Sequence, residues 1–232
     1  MGFPTSPVTN TPHITPNGVS YIYTADGTWL KNGLADPATL TYCDPSTTPT
    51  AITVTSGVNI DDLPSQSPSA GDIIILDGLT TAASFDRTIT GWNGTAAKPI
   101  MILGNTSVLQ AKALEFVDCS HIMVFDLNVE DNLGGSGIVC KHITNFVFSN
   151  VNTNNTAGNG YFIVGNANGG SSKVRMYDCD FSGYTSDGIS IHAANESDGN
   201  GDKYENGSGF YIKDCSSTNP IDQGENGIDF TS

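Results

Sequence analysis

One short phrase recurs four times in the second half of this 232-residue chain. It reads Ser136-Gly137-Ile138-Val139-Cys140, Asn159-Gly160-Tyr161-Phe162-Ile163, Asp187-Gly188-Ile189-Ser190-Ile191 and Asn226-Gly227-Ile228-Asp229-Phe230. Each copy opens with a polar residue and a glycine, then continues as a period-2 strand. The glycines stand 23, 28 and 39 residues apart. A strand returning at such a period cannot bury its apolar face alone. It stacks on its own copies, which is the signature of a solenoid. Gaps that grow around a constant phrase place the extra residues in loops on one side, where repeat proteins build their working face.

A second column runs in step with the first: Asn128-Val129, Asn150-Val151, Asp178-Cys179 and Asp214-Cys215. Asn and Asp tolerate the left-handed region and hydrogen-bond locally, so they suit a corner turned at the same place on every rung. The small apolar residue that follows points inward again. Two columns in register predict stacked parallel rungs over residues 108–232. On these residues the chain resembles the right-handed parallel β-helix of pectate-lyase-like proteins and phage tailspikes. Gly71-Asp72-Ile73-Ile74-Ile75-Leu76 and Ala97-Lys98-Pro99-Ile100-Met101-Ile102 resemble the opening rungs of that superfamily. The resemblance covers roughly two-thirds of the chain, and it implies a fold far more than a function. The expected class is all-β: a parallel β-helix over residues 71–232, preceded by a short β-rich N-terminal arm or cap over residues 1–70. The final phrase opens a further rung, so the helix is expected to be incomplete at residue 232.

Composition narrows the partners. The chain has 24 acidic against 9 basic side chains and a formal charge of −15. Phosphates would be repelled, which argues against nucleic acid. No apolar run is long enough for membrane insertion. Residues 1–7, Met-Gly-Phe-Pro-Thr-Ser-Pro, lack the basic start and apolar core of a secretory signal. The five cysteines are an odd number, and Cys140, Cys179 and Cys215 fall at inward positions, where they read as small core hydrophobes rather than half-cystines. This is the profile of a chain made in a reducing cytosol and used outside as part of a particle. A phage structural protein has that history.

The N-terminal stretch is Pro- and Thr-rich. Asp26-Gly27 stands between the alternating runs Tyr21–Thr24 and Thr28–Leu30, which predicts a hairpin. Phe3-Pro4-Thr5-Ser6-Pro7, followed by a Tyr-rich strand and Trp29, is similar to the short arms that open phage tail-fibre proteins. That similarity implies attachment to other virion tail proteins; a cap over the first open rung is the alternative.

Aligning the phrase sorts inside from outside. Ile138, Cys140, Tyr161, Ile163, Ile189, Ile191, Ile228 and Phe230 point in. Glu115, Val139, Phe162, Ser190 and Asp229 form one outward column, and Val117, Lys141, Val164, His192 and Thr231 form the next. Val117, Val139, Phe162 and Val164 thus make an outward apolar stripe that predicts burial in an oligomer, packing under the arm, or stacking on a sugar. A homotrimer is the first expectation. Beside the stripe, Glu115, Asp187, His192 and Asp229 are the candidate catalytic residues, since glycoside hydrolysis needs two carboxyl groups across the scissile bond. A lyase would instead need a base, for which Lys173, Arg175, Lys203 and Lys213 are the local candidates. Asp198, Asn200 and Asp202 place oxygen ligands at alternate positions and, with Glu205 as a further ligand, read as a calcium site. Lys203 takes the place of the sixth-position glycine, so the string is not an EF-hand.

Three functions remain open on these residues. The first is a virion-tail, tailspike-like protein that binds or cleaves host surface polysaccharide. The second is a secreted lyase or glycoside hydrolase. The third is a non-catalytic structural spike or adhesin.

Overall fold

In a computed structural model the chain is all-β. The structure describes residues 66–231 apart from 78–79, 83–86, 105–106, 111–112, 133–134, 167, 193, 198–202, 206–208, 219 and 221–226. Ahead of these it describes the strands Pro12–Ile14, Ser20–Tyr23, Trp29–Lys31 and Ala51–Thr55. Parallel strands stack into a β-solenoid of about four turns.

Each rung contributes to two sheets. The six-stranded sheet runs in spatial order from Ile228–Thr231 through Ile189–His192, Tyr161–Val164, Ile138–Lys141 and Leu114–Val117 to Arg87–Thr90. The repeated phrase is therefore the strand of this sheet. Ile138 pairs with Tyr161, Tyr161 with Ile189, and Ile189 with Ile228, all in parallel. Ile138, Cys140, Tyr161, Ile163 and Ile189 are fully buried. Ile228 keeps the predicted register but is 44% exposed, because it lies on the outermost described rung.

The eleven-stranded sheet is built around two long strands, Ser120–Asn132 and Thr144–Thr156. Each bends at a residue with left-handed backbone, Asp126 (φ 53) and Asn150 (φ 52). Asp178 and Asp214, with φ of 51 and 53, continue the same corner on later rungs. The corner chemistry read from the sequence is thus present, with one correction. Asn128 is not a member. Leu127 pairs with Val151 and Asn128 with Asn152, so Asp126 takes the corner two residues earlier.

The glycine of the phrase is required by close approach. A Cβ on Gly160 would lie 2.5 Å from the carbonyl oxygen of Gly188 and 2.7 Å from Thr153 Oγ1. The Gly188 carbonyl accepts the Tyr161 N–H at 2.9 Å. Any side chain at this place would force the rung spacing open and break that bond.

The interior is a ladder of apolar rows. Phe116, Phe146, Phe148, Tyr161 and Phe181 form a chain of edge-on ring contacts with centroids 5.3–6.3 Å apart. The Tyr161 hydroxyl donates to the Val151 carbonyl at 3.0 Å, so the one polar atom of that ring is satisfied inside the core.

Ile73–Asp77 and Ile100–Leu103 pair in parallel, as expected of opening rungs. Ala51–Thr55 pairs in parallel with Ile73–Asp77. The predicted N-terminal hairpin is present: Tyr23 pairs antiparallel with Trp29, and Pro12–Ile14 adds a third strand. Among the described residues no helix is long and apolar enough to cross a membrane.

Candidate functional site

The outer face of the six-stranded sheet carries the predicted columns. Glu115, Val139, Phe162, Ser190 and Asp229 are successive register partners. Val117, Lys141 and Val164 form the neighbouring column, and His192 pairs with Thr231.

The stripe is less exposed than alternation implies. Val164 is fully buried although it faces away from the interior, and it does not belong to the core cluster. Val117, Val139 and Phe162 are half-buried. The exposed apolar stripe therefore shrinks to these three, with Phe162 its one aromatic ring.

Polar groups lie on both sides of that ring, against it on the later rungs and beyond Val139 on the earlier ones. Toward the later rungs, His192 meets Phe162 edge-on with centroids 5.2 Å apart. Ser190 Oγ lies 2.6 Å from His192 Nε2, and Asp229 Oδ2 lies 3.7 Å from the same nitrogen. Toward the earlier rungs, Glu115 accepts a hydrogen bond from Thr88 Oγ1 at 2.7 Å and faces Lys141 Nζ at 3.3 Å.

This geometry limits the chemistry. Glu115 and Asp229 are four strands apart, or about 19 Å at the usual spacing of neighbouring strands. A carboxyl pair that cleaves one glycosidic bond is separated by about 5–9.5 Å, so the two cannot share a bond. Ser190, His192 and Asp229 do converge, but a nucleophilic relay places serine and carboxylate on different ring nitrogens. Here both approach Nε2, and Ser190 is buried at 1% exposure.

Asp187 belongs to a corner ladder. Its N–H donates to Asn159 Oδ1 at 2.9 Å, the Asn159 N–H donates to Ser136 Oγ at 3.3 Å, and its carbonyl accepts the Gly160 N–H at 2.9 Å. Ser136, Asn159 and Asp187, the residues before the first three glycines, thus link rung to rung. The structure brings His192 and Asp229 together; it does not bring Glu115 or Asp187 to them.

Of the candidate lyase bases, Lys173, Arg175 and Lys213 lie on the eleven-stranded sheet, away from this face. Lys203 sits in a separate antiparallel pair, opposite Ser197. Asp198, Asn200 and Asp202 lie outside the described residues. The backbone of Glu205 pairs with Ala194 in that same ladder. Among the described residues no group of three or more His, Cys, Asp or Glu side chains is placed to hold a metal ion.

Sequence reasoning missed one polar cluster. Asp118 and His142 occupy a corner with φ of 54 and 53. The Asp118 carboxylate receives His142 Nδ1 at 2.9 Å, Asn166 Nδ2 at 2.9 Å and Asn168 Nδ2 at 2.8 Å. Burial pushes its pKa up, but these three hydrogen bonds and the His142 charge outweigh burial and leave it below the ordinary value. Asn166 and Asn168 are 48 and 50 residues away, so no local pattern points to the contact. It ties the insertion after Val164 to the corner.

No protein-family model, curated protein or solved structure matches this chain. Its reading therefore rests on its own geometry.

Proposed function

We propose that this chain is a glycan-binding β-solenoid that uses the outer face of the six-stranded sheet as a sugar platform. The observation that carries the reading is the half-buried Phe162 ring held edge-on by His192, with hydrogen-bonding groups on both sides of it. A sugar ring presents an apolar face and a polar rim, and this surface offers the complementary pair. An aromatic fixed by packing loses little side-chain entropy on binding. The acidic charge of −15 turns the reading away from polyanions and toward neutral polysaccharide.

The location proposed with it is a virion tail, with the N-terminal stretch as the attachment arm and a homotrimer as the assembly. Support comes from the described cysteines. Cys119, Cys140, Cys179 and Cys215 are free thiols, as suits a chain made in a reducing cytosol. The alternative is a secreted polysaccharide lyase or hydrolase. The separation of Glu115 from Asp229 favours binding over cleavage on this face.

The test is binding of purified bacterial capsular and O-antigen polysaccharides to immobilised protein, with release of reducing ends followed in parallel. Wild-type protein should retain a neutral polysaccharide, and Phe162→Ala should lose most of that retention while keeping its melting temperature. Equal retention by wild type and Phe162→Ala would overturn the platform. Light scattering on the intact chain decides the trimer.

A further inference from the structure

Cys179 and Cys215 stand on neighbouring rungs at the same corner. Tyr177 pairs with Lys213 and Asp180 with Ser216, which sets the two cysteines opposite each other. Each follows a left-handed aspartate, Asp178 or Asp214. The Ser216 N–H donates to the Cys179 carbonyl at 2.9 Å, locking the two rungs together at that point. Neighbouring strands are about 4.8 Å apart, inside the window of about 4.4–6.8 Å that a disulfide needs between its Cα atoms.

The two thiols differ in access. Cys179 is buried at 1% exposure within the core, whereas Cys215 is half-buried and packs against the core from its edge. The strand that follows Cys215, Ser216–Thr218, is exposed along its length. No other two described cysteines are register partners: Cys119 and Cys140 are both buried, and Cys140 pairs with Phe116.

We propose that Cys179 and Cys215 form a redox clasp, a cross-rung disulfide that pins the Tyr211–Thr218 rung to the body of the solenoid when the chain meets a small-molecule disulfide such as oxidised glutathione. The Cys215 thiolate attacks one sulfur of the oxidant, forming a mixed disulfide and releasing one glutathione thiol. Cys179 then attacks Cys215 Sγ and expels the second glutathione thiol. The protein loses two hydrogens as its two thiols become one disulfide, and the oxidant is reduced to two thiols. The order of attack follows access and thiolate character. A hydrogen bond with Cys179 holds the Cys215 thiol below its ordinary value against the opposing effect of burial. Burial instead raises the Cys179 thiol well above its ordinary value, so Cys215 attacks first and Cys179 second. The clasp closes a long loop, since residues at this corner are 36 positions apart along the chain. A covalent link of that span constrains the unfolded chain.

Oxidised glutathione added to the intact protein, followed by peptide mass mapping without reductant, is the test. The expected result is a Cys179–Cys215 linked peptide pair lighter by two hydrogens. A rise in Tm on the order of 5 °C should accompany it and be reversed by dithiothreitol. Cys179→Ser should stop at a glutathione adduct on Cys215, and Cys215→Ser should remain unmodified at Cys179. If either serine variant fails to fold, the alanine variants and the wild-type mass map carry the same decision. A stable glutathione adduct on wild-type Cys215, a link to Cys43 or to a second chain, or thiols that all survive the oxidant would each overturn the clasp.

Discussion

The outer faces of the two sheets are written in the same alternation and meet different surroundings. On the six-stranded sheet, the outward column runs Glu115, Val139, Phe162, Ser190, Asp229, and its apolar members are half-buried. On the eleven-stranded sheet, the outward residues are Met101, Met123 and Val147 in one column and Leu103, Phe125 and Ser149 in the next. These lie between inward residues such as Ile122, Val124, Phe146 and Phe148, and they stand outside the core cluster. Yet Met101, Met123, Phe125 and Val147 are only 3–5% exposed. Alternation tells which side of a sheet a residue faces; it does not tell whether that side is wet. The larger apolar outward surface is therefore on the sheet that the repeated phrase does not occupy.

The strongest way to break this comparison is to place the same charge on each face. Phe125→Asp puts an unpaired carboxylate into a dry contact and removes a buried ring. It should destabilise the fold by on the order of 3–5 kcal/mol, read as a lower urea midpoint. Equal losses from Phe125→Asp and Phe162→Asp would show that the two faces are equally covered and end the distinction.

The corner between the two sheets sharpens it at a middle scale. Asp118→Ala should cost about 1–2 kcal/mol, because His142, Asn166 and Asn168 lose their shared acceptor. Asp118→Asn is the pH probe, since asparagine tolerates the left-handed backbone there. The folded-state pKa of Asp118 is depressed. Its contribution is therefore complete above the unfolded value of about 3.9 and is lost as pH falls through the lower folded value. Wild type should lose more stability than Asp118→Asn on acidification below about pH 4. Parallel pH profiles for the two proteins would remove the carboxylate from the corner's stability.

The smallest expected effect is at Phe162 itself. Phe162→Asp should change folding stability by less than about 1 kcal/mol, since the ring is half-buried and water can reach the new carboxylate. A loss as large as that at Phe125 would make Phe162 a packing residue and leave no platform for a sugar.

The sequence alone determined the solenoid, because stacking in register is a property of a repeat and the phrase carries its own register. Ile138, Tyr161 and Ile189 pair as the alignment of four glycines predicts. The left-handed corner at Asn150, Asp178 and Asp214 was legible for the same reason, since the residue types that tolerate that backbone are few. Asn128 was misplaced because Asp126 and Asn128 suit a corner equally well, and only the pairing of Leu127 with Val151 separates them. What the tertiary structure decided depends on distance between residues far apart in sequence. The cover over Val164, the gathering of Asn166 and Asn168 on Asp118, and the separation of Glu115 from Asp229 are set by which rungs are neighbours and what lies outside them. A period of two encodes facing; solvent exposure and site geometry arise only when the rungs have stacked.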